Sequence, residues 1–338
     1  MENENRKWRI LGIKNRYWVF LFIVLGFLGA RAYPPVLPQI QLPAERYSEV
    51  PLFTLPIIGD FYWTNTLTAM VITDVILLLI AIIVYRASKS QELVPKGFSG
   101  AIEALIEVMH NLTETTAGKW TRTIFPFFAT ITMLVLVANW MELIPGVDSI
   151  GILHTVHDPL EKSYPIEQVV GNIFTLVRPE DGVGQVSEGE QHGGLFILTP
   201  YVRVLSTDLN FTVALALISV FMTQVIGFRS LGWSYFEKFI NVKGIFTRPI
   251  FGIIDFGVGL LELISELSKI LSFSFRLFGN IFAGSVLLFV IGTLVPVLAQ
   301  SLFLMLEFFV GIIQALVFGM LTMVFMAQAT AGHGTHDE

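Results

Sequence analysis

Two stretches of otherwise apolar sequence carry polar residues at helical spacing. In 249–291, Glu262, Glu266, Lys269, Arg276 and Asn280 recur in step with a helix. At about 100° per residue they fall within an arc of about 80°, with Ser265 and Ser272 at its edge. In 297–330, Gln300, Glu307, Gln314 and Gln328 form a second stripe beside Gly311. A charge at the centre of a membrane helix costs roughly 2.5 to 3.5 kcal/mol, so such rows are expected to face protein or water. Arg276 cannot shuttle protons, because a guanidinium holds its proton at any ordinary pH. It can act as a fixed positive barrier. A carboxylate passing it on another chain would favour its charged form and release a proton there. Carboxylates and hydroxyls on either side would then carry that proton to and from water by two offset routes separated by the guanidinium. Folding the stretches back on each other near 292–296 brings Arg276 opposite Gln314 and Ser285 opposite Glu307, so both pairings imply the same turn.

The elements that must position these residues follow from composition. The chain has 338 residues, 54% hydrophobic and 14% charged. A soluble domain carries roughly 25% charged residues, so the apolar excess must face lipid. Segments 61–85, 123–144, 208–228 and the region 249–330 each supply the roughly 20 apolar residues that a span needs. The fold predicted is an all-α polytopic membrane protein with five spans, preceded by an N-terminal helix and ending in a long, strongly tilted helical hairpin. The 43 residues of 249–291 have no internal proline, and as one helix they would extend about 64 Å, roughly twice the membrane core. The N-terminal run 17–30 follows basic residues and ends in Ala30-Arg31-Ala32, so 1–32 reads equally as a cleaved signal peptide or a retained anchor. Next come an extracytoplasmic segment 33–60, a membrane domain 61–330 and a tail 331–338.

Lys and Arg accumulate on the cytoplasmic side of membrane proteins. With the N-terminus inside, the inner segments hold Arg6, Lys7, Arg9, Lys14 and Arg16, then Arg86, Lys89, Lys96, Lys119 and Arg122, then Arg229, Lys238, Lys243 and Arg248. The outer segments hold only Arg31, Arg46, Lys162, Arg178 and Arg203. This topology places the C-terminus in the cytoplasm and the acidic stretch 146–199 outside, as an extended loop or a small ordered flap rather than a second domain. The segment 98–119 reads as an amphipathic helix on the cytoplasmic face. All six histidines then fall outside the spans.

Several function classes are excluded. The net charge of -6 without a basic cluster argues against nucleic acid. Zero cysteines exclude disulfides, thiolate metal sites and cysteine nucleophiles. No cofactor or metal is expected, since His154, His157 and His192 read as exposed loop residues and His333 and His336 as a tail. Neither H-E-x-x-H, G-x-S-x-G nor a nucleotide-binding G-x-x-x-x-G-K-[ST] loop occurs. A secondary ion-coupled transporter with its own substrate site stays open as an alternative, although repeated halves are missing. Glu266 with Lys269 is read as an intrahelical ion pair. Asp208 and Asp255 are read as span-end residues, and Asp74 either as a buried hydrogen-bonded group or as a water-access residue.

The run Ser272-Phe273-Ser274-Phe275-Arg276-Leu277-Phe278-Gly279-Asn280-Ile281-Phe282-Ala283-Gly284 resembles the signature of subunit a of the F-type rotary ATP synthases. Asn139-Trp140-Met141-Glu142-Leu143-Ile144-Pro145 resembles that family's N-x-x-D-L-[LI]-P segment, and Gln314 is a third match. The resemblance covers roughly 60 to 330. It implies a non-catalytic, ion-conducting stator subunit in a bacterial plasma membrane, partnered by a c-subunit ring, peripheral-stalk b subunits and a transported ion, with a proton favoured over sodium. Arg276 is implied to be the essential stator arginine, with Gln314 supporting it and Asn280 lining the ion route. Asn139 and Glu142 match the outer half-channel; Glu262, Ser265 and Ser272 match the inner one. The chain departs from the pattern at Ser285, where many relatives carry an acidic residue or His, and at Glu307, where some carry His. Glu307 is therefore expected to carry the outer route, with water near Ser285.

Overall fold

The computed structural model describes residues 9–10, 13–32, 34–36, 43–48, 50–56, 59–89, 97–155, 164–177, 196–237, 239 and 249–331. Its helices are α1 (Asn15–Ala32), α2 (Asn65–Ser88), α3 (Phe98–Ala117), α4 (Thr121–Trp140), α5 (Leu209–Leu231), α6 (Ser234–Glu237), α7 (Pro249–Leu294) and α8 (Leu298–Thr330). Five runs are long and apolar enough to cross a membrane: Asn65–Arg86, Phe98–Leu143, Leu209–Leu231, Phe256–Leu294 and Leu298–Thr330. The chain is thus an all-α polytopic membrane protein, and α1 is not among the five.

The second run differs from expectation. It begins at Phe98 rather than near 123, because only a 3-10 turn, Gly118–Trp120, separates α3 from α4. At 46 residues it is about 69 Å long as helix, so only part of it can lie within the hydrocarbon core. His110, on exposed α3 and edge-on to Phe125, therefore lies inside an apolar run after all.

The chain divides into two compact units. The larger comprises Leu42–Val147, Val202–Phe282 and Phe309–Glu338. Its core joins α4, α5, α7 and α8 through residues such as Val135, Leu215, Leu277 and Phe318. A neighbouring cluster brings α3 in through Met109, against Ile124, Phe128, Ile226 and Met326. Both clusters obey helical periodicity, with Phe273, Leu277 and Ile281 spaced by four on the buried side of α7. Asp208 caps α5, accepting from Asn210 N at 2.9 Å and from the Thr66 hydroxyl of α2 at 3.0 Å. Gly232, with φ +63, closes the other end by donating to Phe228 O.

The smaller unit comprises Met1–Gln41, Asp148–Tyr201 and Ala283–Phe308. It contains the α7–α8 turn, where Val295 N donates to Ile291 O at 2.8 Å and Leu298 N to Pro296 O at 3.0 Å. Val297 takes φ +74, rare for a β-branched residue. Its methyl groups lie 3.2 Å from where a Cβ on Gly26 of α1 would stand, so that glycine makes room for the turn.

Short strands complete the chain: β1 (Arg9–Ile10), β2 (Ile13–Lys14), β3 (Phe53–Leu55), β4 (Gly59–Phe61), β5 (Pro145–Asp148), β6 (Gly151–Thr155), β7 (Ile166–Val170), β8 (Ile173–Leu176) and β9 (Phe196–Pro200). Within 146–199 the described residues include paired strands. Antiparallel β6 and β9 pair from Gly151 with Pro200 to Thr155 with Phe196, and β7 pairs with β8 as a hairpin. The β-prone run Phe196-Ile197-Leu198-Thr199, with Ile197 and Thr199 buried, favours the pairing. His157, His192, Glu161, Glu180, Glu188 and the tail histidines lie outside the described residues.

Candidate functional site

The expected 43-residue helix forms as α7, continuous over 46 residues. Its polar stripe is divided between two environments. Glu266 is buried, Glu262 and Lys269 are half-buried, and Ser265, Ser272, Arg276 and Asn280 are exposed. Arg276 Nη2 donates to Ser272 Oγ, one turn earlier, at 3.4 Å. Among the described residues no carboxylate lies within ion-pair distance of it. Beside it, Leu263, Leu267, Leu271 and Phe275 form an exposed apolar ridge at spacings of four. The arrangement is a guanidinium set into an apolar face.

Gln314 is buried at 3% exposure on α8. Its donor is Asn280, not Arg276: Asn280 Nδ2 donates to Gln314 Oε1 at 2.9 Å. The α7–α8 turn spans 295–297 and centres on 296, one residue later than the spacing of Arg276 and Gln314 requires. Gln314 therefore meets the turn of α7 after Arg276. Its Nε2 is buried without a protein acceptor among the described residues.

Asn139 is 3% exposed near the end of α4. It accepts from Ser206 Oγ at 2.6 Å and donates through Nδ2 to Gly311 O at 3.5 Å. Gly311 permits this because Trp140 Cδ1 lies 3.3 Å from where its Cβ would stand. Ser206 was not singled out from sequence; a serine between Leu205 and Thr207 carries no periodic signal. Glu142 is half-buried in the 3-10 turn after α4.

In the smaller unit, Glu307 and Ser285 are buried at 7% and 6% exposure. Gly284 abuts the Glu307 carboxyl group, whose Cδ lies 2.6 Å from the site of a Cβ. Glu307 Oε2 has no protein donor among the described residues.

The intrahelical pair expected of Glu266 and Lys269 forms at the other end of the stripe, and sequence reasoning missed only the polar chain from Gln224 and Tyr235 that extends it. The Tyr235 hydroxyl donates to Gln224 Oε1 at 2.6 Å, Gln224 Nε2 donates to Glu266 Oε2 at 3.0 Å, and Lys269 Nζ donates to Glu266 Oε1 at 2.8 Å. Burial, with the Glu266 and Glu262 carboxylates adding to it, pushes the Tyr235 phenol up to about 12. That hydroxyl remains a donor at any physiological pH. Gln224, an isolated amide in an apolar span, was the available signal.

Comparison with known proteins agrees with this architecture. The family model for the ATP synthase A chain matches residues 67–327. A sodium-ion-specific ATP synthase subunit a of Propionigenium modestum is 26% identical over 286 residues, 78% of this chain and 83% of that protein. ATP synthase subunit a of Syntrophobacter fumaroxidans is 26% identical over 219 residues, 65% of this chain and 64% of that one. The Geobacter sulfurreducens subunit a is 35% identical over 78 residues, 23% of this chain and 34% of the relative. With a match extending from α2 to the last turns of α8, this chain belongs to the ATP synthase A chain family.

Proposed function

We propose that this chain is the non-catalytic stator subunit through which ions, protons in our reading, reach and leave a c-subunit ring. Arg276 separates two offset half-channels. The observation that carries the proposal is the exposed Arg276 on the apolar ridge of α7, without a neutralising carboxylate among the described residues. A guanidinium so placed needs a partner surface that brings it a carboxylate, because exposure to lipid alone costs several kcal/mol. A ring carboxylate passing Arg276 would ionise there and release its ion.

The remaining roles follow the resemblance. Asn139, Glu142, Ser285 and Glu307 line the outer route; Glu262, Ser265 and Ser272 line the inner one. Asn280 and Gln314 close the wall behind Arg276, their mutual hydrogen bond leaving the guanidinium turned outward. Peripheral-stalk b subunits hold the complex against rotation, in a bacterial inner membrane with the C-terminus of this chain in the cytoplasm. Sodium is the second reading, favoured by the sodium-specific relative.

The test is ATP-driven ion pumping by inverted membrane vesicles bearing the assembled complex. Arg276→Ala is expected to abolish pumping while ATP hydrolysis by the complex persists. Parental acidification by the assembled variant overturns the proposal. Acidification independent of added sodium identifies the proton, whereas uptake of sodium with no primary pH change identifies sodium.

A further inference from the structure

The chain Tyr235–Gln224–Glu266–Lys269 has a role that neither the family signature nor the proposed half-channels assign. Both oxygens of the buried Glu266 carboxylate are occupied, one by the Lys269 ammonium of its own helix and one by the Gln224 amide of α5. The amide has one orientation only, its oxygen toward the Tyr235 hydroxyl and its nitrogen toward the carboxylate. Tyr235 reaches that position because Gly227 has no side chain; a Cβ there would stand 2.6 Å from Tyr235 Cζ. Three elements thus cooperate to hold one carboxylate against one ammonium. The Lys269 ammonium also lies 4.6 Å from the Phe325 ring centroid, so its position is fixed on a second side.

An ordinary i,i+3 pair on an exposed helix would require none of this and would be worth little. Burying a carboxylate is costly unless its charge is used. Lys269 and Arg276 are the two cationic side chains of α7, seven residues or about 10 Å apart along the axis. An uncompensated ammonium at that distance would lower the local concentration of an approaching cation about tenfold at an effective dielectric constant near 20.

We propose that Gln224 and Tyr235 are positioning residues that hold Glu266 against Lys269, neutralising it so that Arg276 acts as the one uncompensated cation of α7 on the ion path. This inference rests on the ion-path reading above.

The test is ATP-driven ion pumping by the full complex in inverted vesicles, normalised to assembled complex. Glu266→Gln is expected to slow pumping about tenfold, and Glu266→Gln with Lys269→Gln to restore it to within about twofold. Tyr235→Phe, which keeps the ring in its slot, should give a smaller loss that Lys269→Gln also removes. A purely structural role would reduce assembly and would not be rescued by deleting the ammonium. If Glu266→Gln fails to assemble, the Tyr235→Phe pair carries the test alone. Parental pumping by Glu266→Gln, or an assembled double variant as slow as the single, overturns this inference. Arg276→Ala distinguishes the two proposals: if it still pumps, the ion-path reading itself has failed.

Discussion

At the scale of single residues, one glycine-dependent contact matters more than the side chains alone suggest. Gly284 is the only residue type that leaves the Glu307 carboxyl group its place, because a methyl group would stand 2.6 Å from Cδ. Overpacking of this kind is relieved by moving the flexible partner. Gly284→Ala is therefore expected to displace Glu307 and slow ion pumping about tenfold at unchanged complex content. Glu307→Asp, shorter by one methylene, should recover part of that rate in the double variant. Vesicle pumping assays on the two single and one double variants measure this directly, and equal rates in Gly284→Ala and parent would show that Glu307 is not crowded. The Asn280–Gln314 bond is a second residue-level finding, since it takes up the amide oxygen that spacing alone assigns to Arg276.

At the scale of elements, α8 docks on α4 by close approach at Gly319 and by a polar tie at Gly311. A Cβ on Gly319 would overlap Thr132 Oγ1 and stand 3.0 Å from the Phe128 ring. Thr132 and Phe128 are both buried, so neither can swing into solvent. Small residues at helix contacts are the usual means of packing in membranes, where water supplies no drive between helices. Gly319→Ala is expected to destabilise the subunit by about 1 to 3 kcal/mol. Thermal unfolding in detergent measures it, and the cost should shrink in a Thr132→Ala background, where the overlapping hydroxyl is gone. An identical cost in both backgrounds would place the strain elsewhere. The tie from Ser206 through Asn139 to Gly311 O holds the other end of the same pair of helices.

At the scale of the whole molecule, the acidic 146–199 stretch is expected to take no part in ion movement through the apolar helices. Tyr164 pairs with Phe196, and Val177 N donates to Pro165 O at 2.9 Å. The ends of 178–195 are therefore tied to adjacent residues, and a shorter connection can join them with little change in closure entropy. Replacing 178–195 by a short Gly/Ser linker is expected to leave ion pumping within about twofold of the parent, since halving a loop changes its closure cost by only about 0.6 kcal/mol. Vesicle pumping and complex yield read this out. Loss of pumping with normal assembly would give the acidic stretch a part in ion access.

Sequence by itself determined the solvent, the helix lengths and the candidate residues. An excess of apolar residues, a proline-free run long enough to be α7, and a helical row of polar groups are local properties, and backbone periodicity carries them without tertiary contacts. The signature around Arg276 was legible for the same reason. Tertiary structure alone decided how the row is divided. Whether Glu266 is buried and Arg276 exposed depends on α5, α6 and α8, elements tens of residues away in the chain that packing brings side by side. Packing also made Asn280 rather than Arg276 the donor to Gln314, because side chains on facing helices change neighbours with each step of register. The Tyr235–Gln224–Glu266 link has a sequence separation of 42 between amide and carboxylate. No periodicity reports a bond of that range; only the fold that closes it does.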